Sequence, residues 1–263
     1  MSDILEELSA ARRADAEEAA RRVPWDELLK KCASMPPTRD FKAAFRHPGV
    51  NVIAELKKAS PSEGLIRADF NPVALAHELA SSGAAAISVL CEPHRFLGDE
   101  RYLSAVRKGI DLPLLYKDFI TTRYQVAAAR AAGADAILLI AAVLDDSSLA
   151  HLREVAADFG MSALVETHTE DEIRRAVKSG AEVIGVNCRD LRTFKTDPAI
   201  TARLIGDIPA TCIRIAESGI RSHEDIAALA AAGADGFLIG TTIMRAPSPG
   251  AALSTLTGKD RRK

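Results

Sequence analysis

The sequence has few of the residues that define metal-binding and disulfide-rich proteins. Its 263 residues include four cysteines, Cys32, Cys91, Cys188 and Cys212, with no C-x-x-C pair and no disulfide-like spacing. The six histidines are scattered, and no two of them have the spacing of metal ligands. These absences argue against a disulfide scaffold and against a structural metal site.

The chain also lacks a strong charge excess and long apolar runs. Its net charge is −2 with acids and bases interspersed, which gives no electrostatic reason to expect a nucleic-acid partner. No apolar stretch is long enough to cross a bilayer. The first eight residues are amphipathic and acidic, unlike a secretion signal. We therefore expect a soluble cytoplasmic protein with reduced thiols and no membrane partner.

Aromatic residues make up only 5% of the chain, whereas 48% of the residues are hydrophobic. Alanine is abundant in the segments with helical spacing, which predicts close packing of helices on a sheet. The length exceeds that of an average domain but is usual for a (β/α)8 barrel.

A degenerate glycine repeat indicates how the chain is divided. Gly83, Gly133, Gly180 and Gly233 each follow an alanine-rich helical segment and precede an apolar run. Glycine in the left-handed conformation is a common helix stop, so each position predicts a sharp turn into the next strand. The glycines lie roughly 50 residues apart, about two βα units.

Eight apolar runs without clean alternation predict parallel strands that are buried on both faces. Their predicted centres are Val52, Ile87, Leu114, Leu138, Leu164, Ile184, Ile213 and Leu238. A doubly wound open sheet is the alternative, but no G-x-G-x-x-G follows the first strand. We therefore predict a (β/α)8 TIM barrel over residues 49–257, an amino-terminal helical extension over 1–48 packed on it, and a disordered basic tail over 258–263.

Polar side chains recur where these strands end. They are Glu55, Lys57, Lys117, Glu166, Asn187 and Glu217. Charged groups are costly to bury unless paired, and the carboxyl ends of barrel strands form the active site in this fold. The pattern therefore predicts one shared site that is lined with acids and bases.

Two glycine-bearing strand ends predict a phosphate site. Gly219 follows the seventh strand, and Gly240 and Thr241 follow the eighth. Backbone N–H groups in these two loops often bind phosphate in barrels. Ser60, in a Ser-Pro-Ser turn after the first strand, is expected to place a hydroxyl near them.

Five ordered motifs resemble the indole-3-glycerol phosphate synthase family. They are Glu-x-Lys-x-x-Ser-Pro-Ser over 55–62, Lys-Asp-Phe over 117–119, Glu166, Asn-x-Arg-Asp-Leu over 187–191 and Glu-Ser-Gly-Ile over 217–220. The resemblance covers most of the chain. The chain departs from the usual family pattern at Asp99, Tyr116 and Cys188.

The resemblance implies a lyase of tryptophan biosynthesis that needs no metal or organic cofactor. Its substrate would be 1-(2-carboxyphenylamino)-1-deoxyribulose 5-phosphate, a joined anthranilate and phosphosugar, closed to indole-3-glycerol phosphate with loss of carbon dioxide and water. The implied catalytic residues are Glu55, Lys57, Lys117, Glu166, Asn187 and Glu217. The implied substrate contacts are Ser60, Phe96, Arg189 and Ser218.

Simpler interpretations of the same residues remain open at this level. Glu55 and Lys57 could form a structural ion pair, and Glu166 could cap the following helix. His94 and His168 have no identifiable partner in the sequence and are interpreted as loop or surface residues. Cys91 and Cys188 are interpreted as small buried side chains, because no base is spaced to activate them.

Other functions also fit a barrel with these residues. A Schiff-base aldolase would use Lys57 or Lys117 as its nucleophile. A phosphosugar isomerase would need only one acid–base pair, and a paralogue without activity could bind an anionic metabolite. The sequence predicts no oligomeric state.

Overall fold

In a computed structural model, which describes residues 4–187 and 198–259, eight parallel strands close into a barrel. The strands are β1 (Val52–Leu56), β2 (Ala86–Leu90), β3 (Leu114–Lys117), β4 (Ala136–Ile140), β5 (Ser162–Thr167), β6 (Val183–Asn187), β7 (Ile213–Glu217) and β8 (Gly236–Ile239). Each strand pairs with its sequence neighbours, and β8 closes the barrel by pairing with β1. The predicted barrel and all eight predicted strand positions are confirmed.

Helices alternate with the strands and cover the outside of the barrel. They are α1 (Ile4–Arg22), α2 (Trp25–Ser34), α3 (Pro72–Ser81), α4 (Glu100–Arg107), α5 (Arg123–Ala132), α6 (Asp146–Asp158), α7 (Glu170–Lys178), α8 (Pro198–Asp207), α9 (His223–Ala231), α10 (Thr241–Arg245) and α11 (Pro249–Thr257). Short 3₁₀ helices lie at Lys42–Phe45 and Ala141–Val143. No helix in the described ranges is both long and apolar enough to cross a membrane.

Local sequence signals explain where many of these helices begin and end. Thr169 and Ser222 accept hydrogen bonds from backbone N–H groups in the first turns of α7 and α9 and so cap the starts of these helices. Gly133 ends α5 with φ 101°, a left-handed conformation that favours glycine. The predicted glycine stops at Gly83, Gly180 and Gly233 also have positive φ.

The predicted amino-terminal helical segment is present. Its 3₁₀ helix and its helix α1 contact opposite ends of the barrel. Phe45, from the 3₁₀ helix, packs so closely on Gly236 at the start of β8 that a Cβ there would lie 2.6 Å from its ring. This aromatic side chain therefore helps to close the amino-terminal end. Leu5 and Leu8 of α1 are buried instead beside the cavity at the carboxyl-terminal end. Helix α1 thus forms part of the wall of that cavity.

Candidate active site

A cavity of about 660 Å³ opens at the carboxyl-terminal ends of the strands. It is lined by all six predicted catalytic residues: Glu55, Lys57, Lys117, Glu166, Asn187 and Glu217. The predicted substrate and phosphate contacts Ser60, Phe96, Ser218, Gly219, Gly240 and Thr241 line the same cavity. Arg189 lies outside the described residues. The structure therefore brings together every predicted site residue that it describes.

Lys117 lies at the centre of a group of three carboxylates. Its Nζ is 3.1 Å from Glu217 Oε2, 3.5 Å from Glu166 Oε2 and 4.0 Å from Glu55 Oε1. The Lys117 side chain is 14% exposed, and each carboxylate side chain is at most 5% exposed. Burial disfavours the ammonium, but Glu217, Glu166 and Glu55 outweigh it and raise the pKa of Lys117 above its ordinary value. Lys117 is therefore a firmly protonated cation in the free site.

Glu55 and Lys57 form a second ion pair at the end of β1. Lys57 Nζ lies 2.8 Å from Glu55 Oε2, and the two side chains point the same way because they are two residues apart at a strand end. Burial disfavours the Glu55 carboxylate, but Lys57 and Lys117 overcome this and lower its pKa. Glu55 therefore stays ionised and links the two lysines.

The pair Glu166 and Glu217 carries the unusual protonation of the site. Burial and the charge of Glu166, opposed by Lys117, raise the pKa of Glu217 to about 7. Burial also acts on Glu166, but Lys117 and His168 outweigh it and lower its pKa. Glu217 Oε1 is buried and has no hydrogen-bond partner among the described residues, which also favours the neutral form. The pair therefore takes up one proton as the pH falls through neutrality, beside the Lys117 ammonium.

Two glycines make room for these carboxylates. A Cβ at Gly185 on β6 would lie 2.1 Å from Glu217 Oε1, and one at Gly240 after β8 would lie 2.0 Å from Glu55 Oε2. The same Gly240 Cβ would lie 3.0 Å from Lys57 Nζ. The loop expected to bind phosphate is therefore adjacent to the Glu55–Lys57 pair.

The loops after β7 and β8 are joined to each other at the cavity. Ser218 and Gly219 have φ values of 61° and 76°, which turns the backbone sharply after β7. Thr242 Oγ1 in α10 donates a 2.6 Å hydrogen bond to the carbonyl of Ile220. Arg221 and Arg245 also line the cavity, and Arg245 pairs with Glu63 of the Ser-Pro-Ser loop. Backbone amides and cations are thus available together for an anion.

A buried carboxylate that the sequence did not single out organises the loop after β2. Glu92 is fully buried and accepts hydrogen bonds of 2.6 to 2.8 Å from the backbone N–H groups of His94, Arg95 and Phe96. The Phe96 ring lies 6.3 Å from the Phe119 ring, measured between centroids. Glu92 therefore fixes the loop that brings an aromatic ring to the cavity.

A second missed interaction joins α1 to the residue after Lys117. Arg12 Nε and Nη2 donate hydrogen bonds of 2.9 and 2.6 Å to the two oxygens of Asp118, which is 2% exposed. No local signal could reveal this pair, because its partners are 106 positions apart in the sequence. The pair holds the amino-terminal helix against the strand end that carries Lys117.

His168 lies in a loop, as expected, and it has partners that the sequence did not reveal. His168 lies between β5 and α7, but its side chain is only 18% exposed and contacts two carboxylates. Its Nε2 is 3.5 Å from Glu166 Oε1, and its Nδ1 is 3.2 Å from Glu172 Oε2. His94 is 43% exposed in the loop after β2, where it contacts Asp15. Cys91 is buried, as expected, while Cys188 lies outside the described residues.

Two departures from the family pattern fall away from the acid–base group. Asp99 is the amino-terminal cap of α4 and accepts a 2.8 Å hydrogen bond from the Arg101 N–H. Tyr116 is 3% exposed and packs in the layer between strands and helices, so it does not reach the cavity. Neither substitution removes a side chain from the group around Lys117. Among residues 4–187 and 198–259, no group of three or more histidine, cysteine, aspartate or glutamate side chains could hold a metal ion.

Together, a closed eight-stranded barrel and acids and amines gathered at its carboxyl-terminal end define an enzyme of the (β/α)8 class. The fold alone is shared with 3-hexulose-6-phosphate synthase from Salmonella typhimurium, at a TM-score of 0.65 and 15% identity, over 80% of this chain and 97% of that one.

Residues 5–256 match the family model described as indole-3-glycerol phosphate synthase. Curated proteins of that name from Acidithiobacillus ferrooxidans and a Roseiflexus species are 46% and 44% identical. Those alignments cover 97% and 98% of this chain, and 99% of each relative. The chain belongs to the indole-3-glycerol phosphate synthase family, which confirms the family predicted from the five motifs.

Proposed function

We propose that the chain closes the indole ring of 1-(2-carboxyphenylamino)-1-deoxyribulose 5-phosphate and releases carbon dioxide and water. The observation that carries this proposal is the Lys117 ammonium, which is buried among Glu55, Glu166 and Glu217 in the cavity that the two expected phosphate loops also line. This reaction needs an acid, a base and a phosphate-binding site that are close enough to contact the same substrate molecule. The residues that line the cavity include candidates for all three roles.

Ring closure places negative charge on the ketone oxygen as a ring carbon attacks the carbonyl carbon. A cation that donates a proton to this oxygen lowers the barrier. We assign this step to Lys117, which is protonated before substrate arrives. Its raised pKa does not prevent the transfer, because the developing alkoxide is itself a strong base. The same ammonium stabilises the charge before the proton moves.

Decarboxylation and dehydration then need a base and a second acid. Loss of carbon dioxide restores the aromatic ring, and removal of a proton accompanies departure of the new hydroxyl group. We assign the proton removal to Glu166, whose lowered pKa keeps it ionised. We assign proton donation to the leaving hydroxyl to Lys57, whose Nζ lies 2.8 Å from Glu55 Oε2. Asn187 and Glu217 would orient the sugar hydroxyls.

Substrate orientation follows from the two ends of the cavity. The phosphate would bind backbone N–H groups at Gly219, Gly240 and Thr241, with the Ser60 hydroxyl alongside. Phe96 would pack on the anthranilate ring, and Ser218 would contact the sugar. Arg189 would bind the carboxylate that is lost, and this role stays a prediction from the family pattern. A cytoplasmic location also stays a prediction.

The protonation of Lys117 disfavours this residue as the nucleophile of the Schiff-base alternative. An amine must lose its proton before it attacks a carbonyl, and a nucleophilic lysine is activated by a lowered pKa. The three carboxylates around Lys117 raise its pKa instead. Borohydride treatment in the presence of a sugar phosphate should therefore trap no adduct at Lys117.

The direct test is to follow indole fluorescence while the protein acts on the carboxyphenylamino-deoxyribulose phosphate in the presence of a chelator. We expect turnover that the chelator does not change. Lys117→Ala should abolish turnover with little change in substrate binding, whereas Lys108→Ala, at an exposed position, should be unaffected. Absence of any signal above background from the wild-type protein would refute the proposed function.

A further inference from the structure

A histidine joins the catalytic carboxylate to the helix that follows it. His168 lies two residues after Glu166, and its two ring nitrogens face different carboxylates. Nε2 is 3.5 Å from Glu166 Oε1, and Nδ1 is 3.2 Å from Glu172 Oε2. Glu172, in the first turn of α7, also accepts a 2.7 Å hydrogen bond from the backbone N–H of His168. Both the ring and the backbone of His168 are thus held by one carboxylate.

The local sequence explains why the histidine is held so firmly. Thr169 caps α7 by accepting a hydrogen bond from the Glu172 N–H, which fixes the position of Glu172 on the first turn. Glu172 reaches back from that turn to His168. To cap the start of α7, Glu172 would need only its hydrogen bond with the backbone N–H of His168. The contact between the Glu172 carboxylate and Nδ1 adds nothing to the cap, but it directs the opposite nitrogen at Glu166.

We propose that His168 is a positioning residue for the reaction, held by Glu172 so that its charged ring lies against the Glu166 carboxylate and keeps it ionised. The inference rests on the proposed function, since it assigns His168 a role through Glu166. Glu172 fixes the orientation of the ring through Nδ1, and Nε2 then faces Glu166 at ion-pair distance without a hydrogen bond.

The charges around His168 agree with a cationic ring. Burial disfavours the imidazolium, but the hydrogen bond to Glu172 and the charge of Glu166 raise the pKa of His168 above its ordinary value. Glu217 on β7 adds to this effect from the other side of Glu166. The described charged groups that face the ring are therefore Glu166, Glu172 and Glu217, and all three favour its protonated form.

A cation at this place affects how many protons the Glu166–Glu217 pair binds. Glu217 takes up a proton near neutral pH, and the next proton of the pair goes to Glu166, which must be free of it to act as a base. His168 lowers the pKa of Glu166 and so postpones this loss of activity to more acidic pH. Without the cation, the acid limb of the activity profile must move toward neutral pH.

The test is the pH profile of kcat/KM for the ring-closing reaction in His168→Gln and Glu172→Gln. An opposite charge at such a distance shifts a carboxyl pKa by about one unit or more. We expect the acid limb to move up by about one pH unit in His168→Gln, with about a tenfold loss of kcat/KM on that limb and little change in KM. Glu172→Gln keeps a side-chain oxygen that can accept the hydrogen bond from the His168 backbone N–H. It should therefore move the acid limb in the same direction by a smaller amount.

Two matched variants separate this effect from loss of structure. His151→Gln makes the same change on the exposed surface of α6, and Glu170→Gln removes a charge from the same turn of α7. Both should keep the wild-type acid limb. A lower melting temperature of His168→Gln with an unchanged pH profile would mean that the residue is only structural, and would overturn the proposal.

Nuclear magnetic resonance of ring-labelled histidine in the unliganded protein gives a second measurement that needs no turnover. The His168 signal, assigned by its absence in His168→Gln or by its shift in Glu172→Gln, should titrate above the ordinary histidine value of about 6.5. A value at or below the ordinary one would contradict the proposal. Failure of the proposed function would instead appear as an inactive wild-type protein, whatever this titration shows.

Discussion

The ammonium of Lys117 donates a 3.1 Å hydrogen bond to Glu217, a carboxyl group whose pKa is raised to about 7. The Lys117 ammonium is therefore hydrogen-bonded directly to the carboxyl group that takes up a proton near neutral pH. Two further carboxylates, Glu55 and Glu166, keep the proton on Lys117. The site thus contains an acid and a base next to each other. A reaction with successive proton transfers requires both.

Glu217→Gln should make the stability of the protein less dependent on pH. The folded-state pKa of Glu217 is raised from 4.5 to about 7, so between these values the folded protein binds more protons than the unfolded chain. The wild-type protein therefore loses stability as pH rises through this window, by on the order of 2–3 kcal/mol. The glutamine variant lacks this contribution.

Urea unfolding at pH 5 and pH 8 measures the difference. The variant should gain stability over the wild type at pH 8 and gain less at pH 5. Glu17→Gln, an exposed change on α1, should show no such dependence. Equal gains at both pH values would contradict the raised pKa.

Gly185→Ala and Gly240→Ala should each impair the site while leaving the backbone unstrained. Their φ values are not in the left-handed range, so the effect comes from the new Cβ, which would lie 2.1 Å from Glu217 or 2.0 Å from Glu55. The displaced carboxylate must shift by about 1 Å, which can cost about a hundredfold in rate. The measurement is kcat/KM for ring closure.

Gly206→Ala provides the control for both glycine variants. A Cβ at this position in α8 would meet no atom within 4 Å, and alanine favours helix over glycine by about 1 kcal/mol. Its activity should equal that of the wild type. Full activity in Gly185→Ala or Gly240→Ala would show that the carboxylates tolerate displacement.

Arg12→Met should release α1 from the barrel. It leaves Asp118 buried without its two-point partner, and breaking a buried ion pair on one side costs about 3–5 kcal/mol. Because Leu5 and Leu8 of α1 line the cavity, KM for the substrate should rise. Limited proteolysis should also cut α1 more rapidly.

Arg13→Met is the matched change, since Arg13 is exposed on the same helix. It should alter neither KM nor the rate of proteolysis. If Arg12→Met behaved like this control, the remaining contacts of α1 would be sufficient to hold the helix on the barrel.

The sequence predicts the barrel well because its signals are local. Runs that are apolar on both faces specify buried parallel strands, and Gly133 specifies a helix stop that is seen at φ 101°. Barrel closure then brings the strand ends together, so Glu55, Lys117, Glu166 and Glu217 meet although 162 positions separate the first from the last.

The parts of the site that the sequence does not reveal depend on contacts between distant residues, or on a residue that has both a structural and a site contact. Arg12 and Asp118 meet only because α1 packs on the barrel. The role of Glu92 can be recognised only from the folded loop, whose backbone N–H groups bind its carboxylate. His168 did carry a local signal. Thr169 and Glu172 have the spacing of a helix-start motif, which accounts for the backbone but does not indicate that the ring faces Glu166.

The most direct test of the account is a crystal structure of the protein with a substrate analogue in which the ketone is reduced to an alcohol. We predict that this hydroxyl lies within hydrogen-bond distance of Lys117 Nζ, with the phosphate against the backbone of Gly219 and Gly240. An analogue bound with its hydroxyl remote from Lys117, or with its phosphate among the three carboxylates, would contradict the assignment of Lys117 as the acid that drives ring closure.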